Sequence, residues 1–194
     1  DIGTGTGIIA MMVAQRNSSA AITAIEIDEK ALIDANFNVK NCPWNHRIKI
    51  IPSSLQEYTT TVKFDSIISN PPFFENSLKS NSGRKIKARH TDSLHYLDIL
   101  NFAALHLTYN GILHLILPVK NAEKCIEIAI ELGFYLKRIC KVQPVPHKNA
   151  HRTIFELTKT ATPTITESLI IETGKRHDYS QQYVELTKAF YTIM

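Results

Sequence analysis

Cysteine is scarce in this 194-residue chain, and no apolar run reaches membrane-spanning length. The three cysteines, Cys42, Cys125 and Cys140, are odd in number and far apart. They exclude a disulfide framework and a CxxC metal site, and they fit a reducing cytoplasm. A membrane helix needs about 18 to 20 consecutive apolar residues, and none is found. The start lacks the basic-then-apolar form of a signal peptide. There is no internal repeat, no low-complexity tract and no linker long enough to join two domains, so residues 1–194 are expected to form one domain. With 44% apolar and 21% charged residues, the composition is that of an ordinary globular protein. A net charge of +4 permits a nucleic-acid partner without requiring one.

Only seven glycines are present, and three of them fall in the opening Asp1-Ile2-Gly3-Thr4-Gly5-Thr6-Gly7. An apolar run, Ile8 to Ala14, follows. The pattern reads as a turn feeding a buried helix, with glycines that permit positive φ and close approach of a ligand to the backbone. Tight turns account for most isolated glycine loops. Such a loop ordinarily follows a strand, and none precedes Asp1 here, so the expectation is a fragment whose first strand lies upstream.

Residues 21–28 read as a buried strand ending in two acids, Glu26 and Asp28. Glu26 stands 19 residues after Gly7, near the spacing at which doubly wound folds place a carboxylate on a ribose diol. Asp28 is assigned instead to the cap of a helix over 29–41. A third strand, 47–51, delivers Ser54, which is either a contact to a cofactor's adenine or a polar turn residue. A fourth strand, 63–69, delivers Asn70-Pro71-Pro72-Phe73-Phe74. A lysine- and arginine-rich stretch, 75–91, follows. It reads as a solvated loop or a phosphate-contacting lid carrying Arg84, Lys85, Lys87 and Arg89.

Helical periodicity marks 95–109, with Asn110-Gly111 as its stop. A buried strand is expected over 112–117, then a helix over 121–132 closed by Gly133. Strands over 135–142 and 151–157 form a hairpin whose loop carries Lys148, with Arg152 at its far side. A small strand over 168–172 and a helix capped by Ser180 complete the chain. Tyr183, Leu186, Phe190 and Ile193 are expected to line the core-facing side of that helix. None of the eight histidines is assigned to a metal or to catalysis.

The alternation predicts an α/β fold: a doubly wound, mostly parallel sheet with a carboxy-terminal antiparallel hairpin. Ligands of such sheets bind at the carboxyl ends of the strands, where Gly3 to Gly7, Glu26, Ser54 and Asn70 all fall. Asn-Pro-Pro-Phe suits a planar amine. An exocyclic amine is a poor nucleophile because its lone pair is delocalised. The Asn70 side-chain oxygen and the Pro71 carbonyl can accept its N–H bonds, and two prolines fix φ and remove competing donors. Phe73 offers a stacking face worth about 1–3 kcal/mol for a base. Holding the nitrogen in line with a methyl donor supplies much of the remaining catalysis.

These residues resemble the class I methyltransferases that use S-adenosylmethionine and carry an N-P-P-[FY] motif. Pro43-Trp44, Ala88-Arg89-His90-Thr91 and the tail from Tyr179 to Tyr191 are similar to one family, the bacterial tRNA1(Val) (adenine-37-N6)-methyltransferases. That resemblance implies methyl transfer to adenine N6 beside the anticodon, with the anticodon stem-loop as partner and no metal or membrane. The protein is expected to be a cytoplasmic monomer. It places Asp1, Gly3, Gly5, Gly7, Glu26, Ile27, Ser54 and Asn70 on the cofactor. Asn70, Pro71 and Phe73 hold the amine, and Phe74, Arg84, Lys85, Lys87, Arg89, Lys148 and Arg152 face RNA. The family often has Asp where Ser54 stands. Rival readings are a guanine-N2 methyltransferase of ribosomal RNA, a release-factor glutamine methyltransferase and a non-catalytic RNA-binding module. A NAD-dependent dehydrogenase is disfavoured by the loop spacing and by Asn-Pro-Pro-Phe, which has no role in hydride transfer.

Overall fold

The computed structural model describes residues 1–72 and 94–191. They fall into two compact units, Asp1–His106 and Leu107–Met194.

The first unit opens with a short ribbon at Asp1 and Ile2, and the chain bends at Gly3, whose φ is 67°. Ile2 bridges Ile25 on one side and Ser69 on the other, both in parallel. The ribbon is tied by Ile2 N–H to the Ile68 carbonyl at 2.9 Å, by Ile25 N–H to the Asp1 carbonyl at 2.9 Å and by Gly3 N–H to the Ile25 carbonyl at 3.0 Å. Helix α1 (Ile8–Arg16) begins after Gly7, whose φ of 84° only glycine adopts cheaply. Strand β1 (Ile22–Glu26) pairs in parallel with β2 (Ile48–Pro52), Ile22 opposite Ile48 and Glu26 opposite Pro52. Between them lie helix α2 (Glu29–Asn41) and a 3-10 turn (Asn45–Arg47). As expected, Asp28 caps α2, its carboxylate accepting the Ala31 N–H at 2.8 Å. Strand β3 (Phe64–Ser69) and helix α3 (Tyr96–His106) complete the unit.

Small residues let α1 and α2 lie close to the strands. Ala10, Ala14, Ala24, Val39 and Ile48 form one buried cluster, edged by Trp44 and Ile50. Arg47 fastens its border. Its guanidinium donates to the carbonyls of Ala14 at 2.6 Å, Asn17 at 2.7 Å and Ala20 at 3.1 Å, and so caps the end of α1. On the amino-terminal side of Ile2, β1 and β3 flank a groove of about 920 Å³ whose lining includes Ile22, Phe64 and Phe102.

The second unit is a four-stranded sheet in the order β4-β6-β5-β7. β4 (Leu107–Pro118) and β5 (Tyr135–Gln143) both run antiparallel to β6 (Arg152–Thr158), while β7 (Ile165–Ile170) runs parallel to β5. The expected hairpin is therefore present, with β6 inserted between β4 and β5. Leu113, Leu115, Leu117, Phe155 and Leu157 are fully buried, each stabilising the fold by about 1.5–3 kcal/mol. Helix α4 (Val119–Glu131) buries Ala122, Cys125 and Ala129. Burial pushes the Cys125 thiol up to about 12, which leaves it inert. Gly133 ends α4 as expected. The Gly133 N–H reaches the Ile130 carbonyl at 3.0 Å, and the Phe134 N–H reaches that of Ala129 at 2.9 Å.

Two expectations are corrected. Helix α3 ends at His106, and Asn110-Gly111 lies inside β4 rather than at a helix stop. Tertiary partners decide this. The Leu107 carbonyl accepts from Lys159 Nζ at 2.9 Å and the Tyr109 carbonyl from Thr160 Oγ1 at 3.2 Å, so the segment is held extended. The last helix, α5 (Gln181–Thr187), is capped by Ser180 as expected, but it is short and has no buried residue. Leu186 is 46% exposed and Phe190 lies past its end, so the described part of the Tyr183–Leu186–Phe190 stripe is not a core face. Ile193 lies outside the described residues.

Candidate functional site

The carboxyl ends of β1, β2 and β3 and the ribbon at Ile2 converge on a cavity of about 380 Å³. Its wall includes Gly3, Glu26, Ile27, Ser54 and Asn70, five of the residues singled out from sequence. Ile2 and Leu55 add buried apolar surface, and Leu94 and Pro72 extend the wall. The volume falls within the range of small-molecule sites.

Glu26 organises the glycine loop. One carboxylate oxygen accepts the Gly5 N–H at 2.8 Å. The other accepts the N–H groups of Ile27 at 2.8 Å and Asp28 at 2.9 Å. A carboxylate offers about four lone-pair sites, so three N–H bonds leave one open to a hydroxyl. Gly5 sits at φ 58°, and a Cβ there would meet nothing within 4 Å, which leaves open space against bare backbone. Gly5 is not part of the cavity wall, and neither is Gly7. Gly7 starts α1, and its bare Cα faces Val39 and Ala35 of α2. Asp1 also lies off the cavity wall. Its Oδ2 accepts from the Thr4 hydroxyl, and its Oδ1 is buried without a hydrogen-bond partner among the described residues.

Ser54 is buried at 9% exposure, and its hydroxyl accepts the Glu57 N–H at 3.2 Å. The polar-turn reading thus describes its local role, while it also lines the cavity. Asn70 is exposed at the cavity wall, and its amide bonds to no other described residue. Pro71 is buried and Pro72, not Pro71, lines the cavity. Phe73, Phe74, Arg84, Lys85, Lys87 and Arg89 lie outside the described residues. Lys148 and Arg152 belong to the second unit: Lys148 is exposed at the tip of the β5–β6 loop, and Arg152 is half-buried at the start of β6. Among the described residues, no group of three or more His, Cys, Asp or Glu is placed to hold a metal, and no helix is long and apolar enough to cross a membrane.

Sequence reasoning did not single out Leu55, Leu94 or Ile2 as site residues. Leu55 adjoins Ser54 and was reachable from it. Leu94 is brought to Gly3 only by tertiary structure, its Cδ2 lying 3.2 Å from where a Gly3 Cβ would stand.

A family model described as the methyltransferase small domain matches residues 1–126. A tRNA1(Val) (adenine(37)-N6)-methyltransferase from Vibrio campbellii is 38% identical over 194 residues, covering 100% of this chain and 80% of the relative. Its namesake from Trichodesmium erythraeum is 40% identical, covering 98% and 81%. The chain belongs to the tRNA1(Val) (adenine(37)-N6)-methyltransferase family. Family membership bears out the expectation of an enzyme that transfers methyl groups from S-adenosylmethionine. Solved structures agree on the fold. A predicted O-methyltransferase from Agrobacterium tumefaciens superposes with a TM-score of 0.74 at 20% identity, over 97% of this chain and 86% of that one. A glycopeptide N-methyltransferase complexed with S-adenosylmethionine gives 0.56 at 9% identity, over 82% and 80%.

Proposed function

We propose that this enzyme methylates the exocyclic N6 of an adenine beside the anticodon of tRNA1(Val). The observation that carries the reading is the convergence of Gly3, Glu26 and Asn70 on one cavity at the strand ends, in a chain of this family.

The cavity residues fit S-adenosylmethionine. Glu26 has one unfilled lone-pair site for a ribose hydroxyl, Ile27 and Leu55 give apolar walls, and the loop at Gly5 leaves its backbone open to close approach. When bound, that cofactor supplies an electrophilic methyl group. The remaining work belongs to the chain's own groups. The Asn70 side-chain oxygen accepts one N–H of the adenine amine, which restrains its rotation and returns electron density to nitrogen. Pro71 and Pro72 hold that acceptor rigidly, since neither has an N–H to compete. Phe73 supplies the stacking face. As the amine nitrogen takes up the methyl it becomes positively charged, Asn70 stabilises that charge by accepting its N–H, and the surplus proton is then lost to solvent water. No strong general base is needed, because orientation lowers much of the barrier. An anticodon-loop base is reachable at modest cost, because it can be splayed out of its stack.

The test uses the purified protein, radiolabelled S-adenosylmethionine and two tRNA1(Val) transcripts, one with adenosine and one with guanosine at position 37. N6-methyladenosine from the first and no product from the second is the expected result. Label in guanosine, or equal label in both transcripts, would sink the adenine reading. Label in ribosomal RNA or in a release factor but in neither transcript would favour the rivals.

A further inference from the structure

The carboxyl ends of β5 and β7 emerge side by side in the second unit, and a tight turn grows from β7. Glu172 and Tyr179 pair across it in antiparallel fashion. Thr173 N–H donates to the Asp178 carbonyl at 2.8 Å, and Asp178 N–H to that of Lys175 at 3.1 Å. The Glu172 carboxylate accepts the His177 N–H at 2.9 Å, and the Asp178 carboxylate accepts from the Thr173 hydroxyl. His177 stands at φ 65°, a conformation that costs free energy for a residue with a Cβ. The bonds from its neighbours hold it there.

The distribution of charge is uneven. Both carboxylates of the turn are directed at its own backbone and hydroxyl. Lys175 and Arg176 are exposed at the tip, and neither forms an ion pair among the described residues. The turn is also fastened to the β5–β6 loop. Ile171 N–H donates to the Gln143 carbonyl and Glu172 N–H to that of Pro144, both at 2.9 Å. The β5–β6 loop carries Lys148, the strand ends flanking it carry Lys141 and Arg152, and residues 141–152 contain no acid at all. That loop is itself built, with Gln143 Nε2 on the Lys148 carbonyl at 3.0 Å.

We propose that the Lys175-Arg176-His177 turn and the β5–β6 loop form one cationic rim that binds the phosphate backbone of the RNA substrate. This rests on the tRNA reading above and adds Lys175 and Arg176 to it. A rim that carries no base-reading geometry positions RNA without specifying its sequence. Pre-ordering the turn lowers the entropy lost when two long side chains meet phosphates.

The experiment measures tRNA1(Val) binding by fluorescence anisotropy between 50 and 200 mM salt, with methyl transfer assayed in parallel. The double variant Lys175→Ala/Arg176→Ala is compared with Lys120→Ala/Lys124→Ala, which removes the same charge from exposed positions on α4. The turn variant is expected to bind several-fold more weakly, with a salt slope shallower by about 1.4–1.8 for two lost phosphate contacts. Its kcat at saturating tRNA should hold while KM rises. The α4 variant should keep the wild-type slope. Equal behaviour of the two variants, or an unchanged slope in the turn variant, overturns the rim while leaving wild-type tRNA methylation as it was. A wild-type protein that neither binds nor methylates tRNA overturns the substrate reading itself.

Discussion

The Glu26 carboxylate at the end of β1 accepts the Gly5 amide of the opening loop at 2.8 Å, across 21 residues of sequence. One side chain therefore both shapes the loop and lines the cavity beside it. A ligand bonded to that carboxylate, as proposed, would be coupled to the geometry of the loop. Glu26→Ala removes the acceptor for three amides and should cost about 1–3 kcal/mol of stability together with at least tenfold in cofactor affinity. Urea denaturation and equilibrium dialysis with S-adenosylhomocysteine measure the two effects separately. Unchanged values in both would show that the loop holds its shape without Glu26.

Asn70→Ala leaves the rest of the cavity wall in place and removes the acceptor proposed for the amine. Single-turnover methyl transfer should fall by about 10²- to 10³-fold, with cofactor binding changed by less than threefold. Full turnover in the variant would dismiss Asn70 as an amine-holding group.

Gly5 and Gly7 separate conformational cost from steric cost. Gly5→Ala meets no atom within 4 Å, and Gly7→Ala meets Val39 and Ala35 only at ordinary contact distances. Each should lose about 1–2 kcal/mol from positive φ alone. Cofactor affinity should fall beyond that cost only for Gly5, where the added methyl occupies the open side of the loop. Equal affinity losses at both positions would place the ligand elsewhere.

Arg47 reaches three carbonyls at the end of α1 and beyond it. Arg47→Ala should cost about 2 kcal/mol, and Arg47→Lys should recover little, because a single ammonium does not span the same fan of acceptors. Thermal denaturation checks the order; a lysine variant as stable as wild type would contradict it.

His114 provides a pH dependence. Burial lowers its pKa most, Glu156 at 3.8 Å raises it, and Lys137 and Arg138 lower it further. The folded protein thus takes up the proton less readily than the unfolded chain. Above the unfolded pKa of about 6.5 neither state is charged and stability is unaffected. As pH falls below that value the unfolded state gains protons first, so stability declines. His114→Gln should flatten the difference in unfolding free energy between pH 7.5 and pH 5.5; an unchanged difference would assign the pH dependence to other groups.

Much of the site was legible in the sequence because it is made of short-range signals. Alternating glycines, an acid at the end of an apolar run and Asn-Pro-Pro after another run each specify local backbone, and the α/β rule places all of them at strand ends. Asp28 was identified as a cap for the same reason. The errors came where local signals met long-range partners. Asn110-Gly111 reads as a helix stop, yet Lys159 and Thr160, about 50 positions away, draw its neighbours into β4.

The sequence by itself determined the class of chemistry, since glycine conformational freedom, a strand-end carboxylate and a proline-fixed amide are properties of individual residues. Only the tertiary structure decided that Glu26 holds Gly5, that Pro72 rather than Pro71 lines the cavity, that Leu94 approaches Gly3, and that the turn carrying Lys175 and Arg176 is bonded through Ile171 and Glu172 to Gln143 and Pro144. Those relationships depend on strand register and on which faces are buried. Register arises from the packing of the whole sheet, and no short stretch of sequence encodes it.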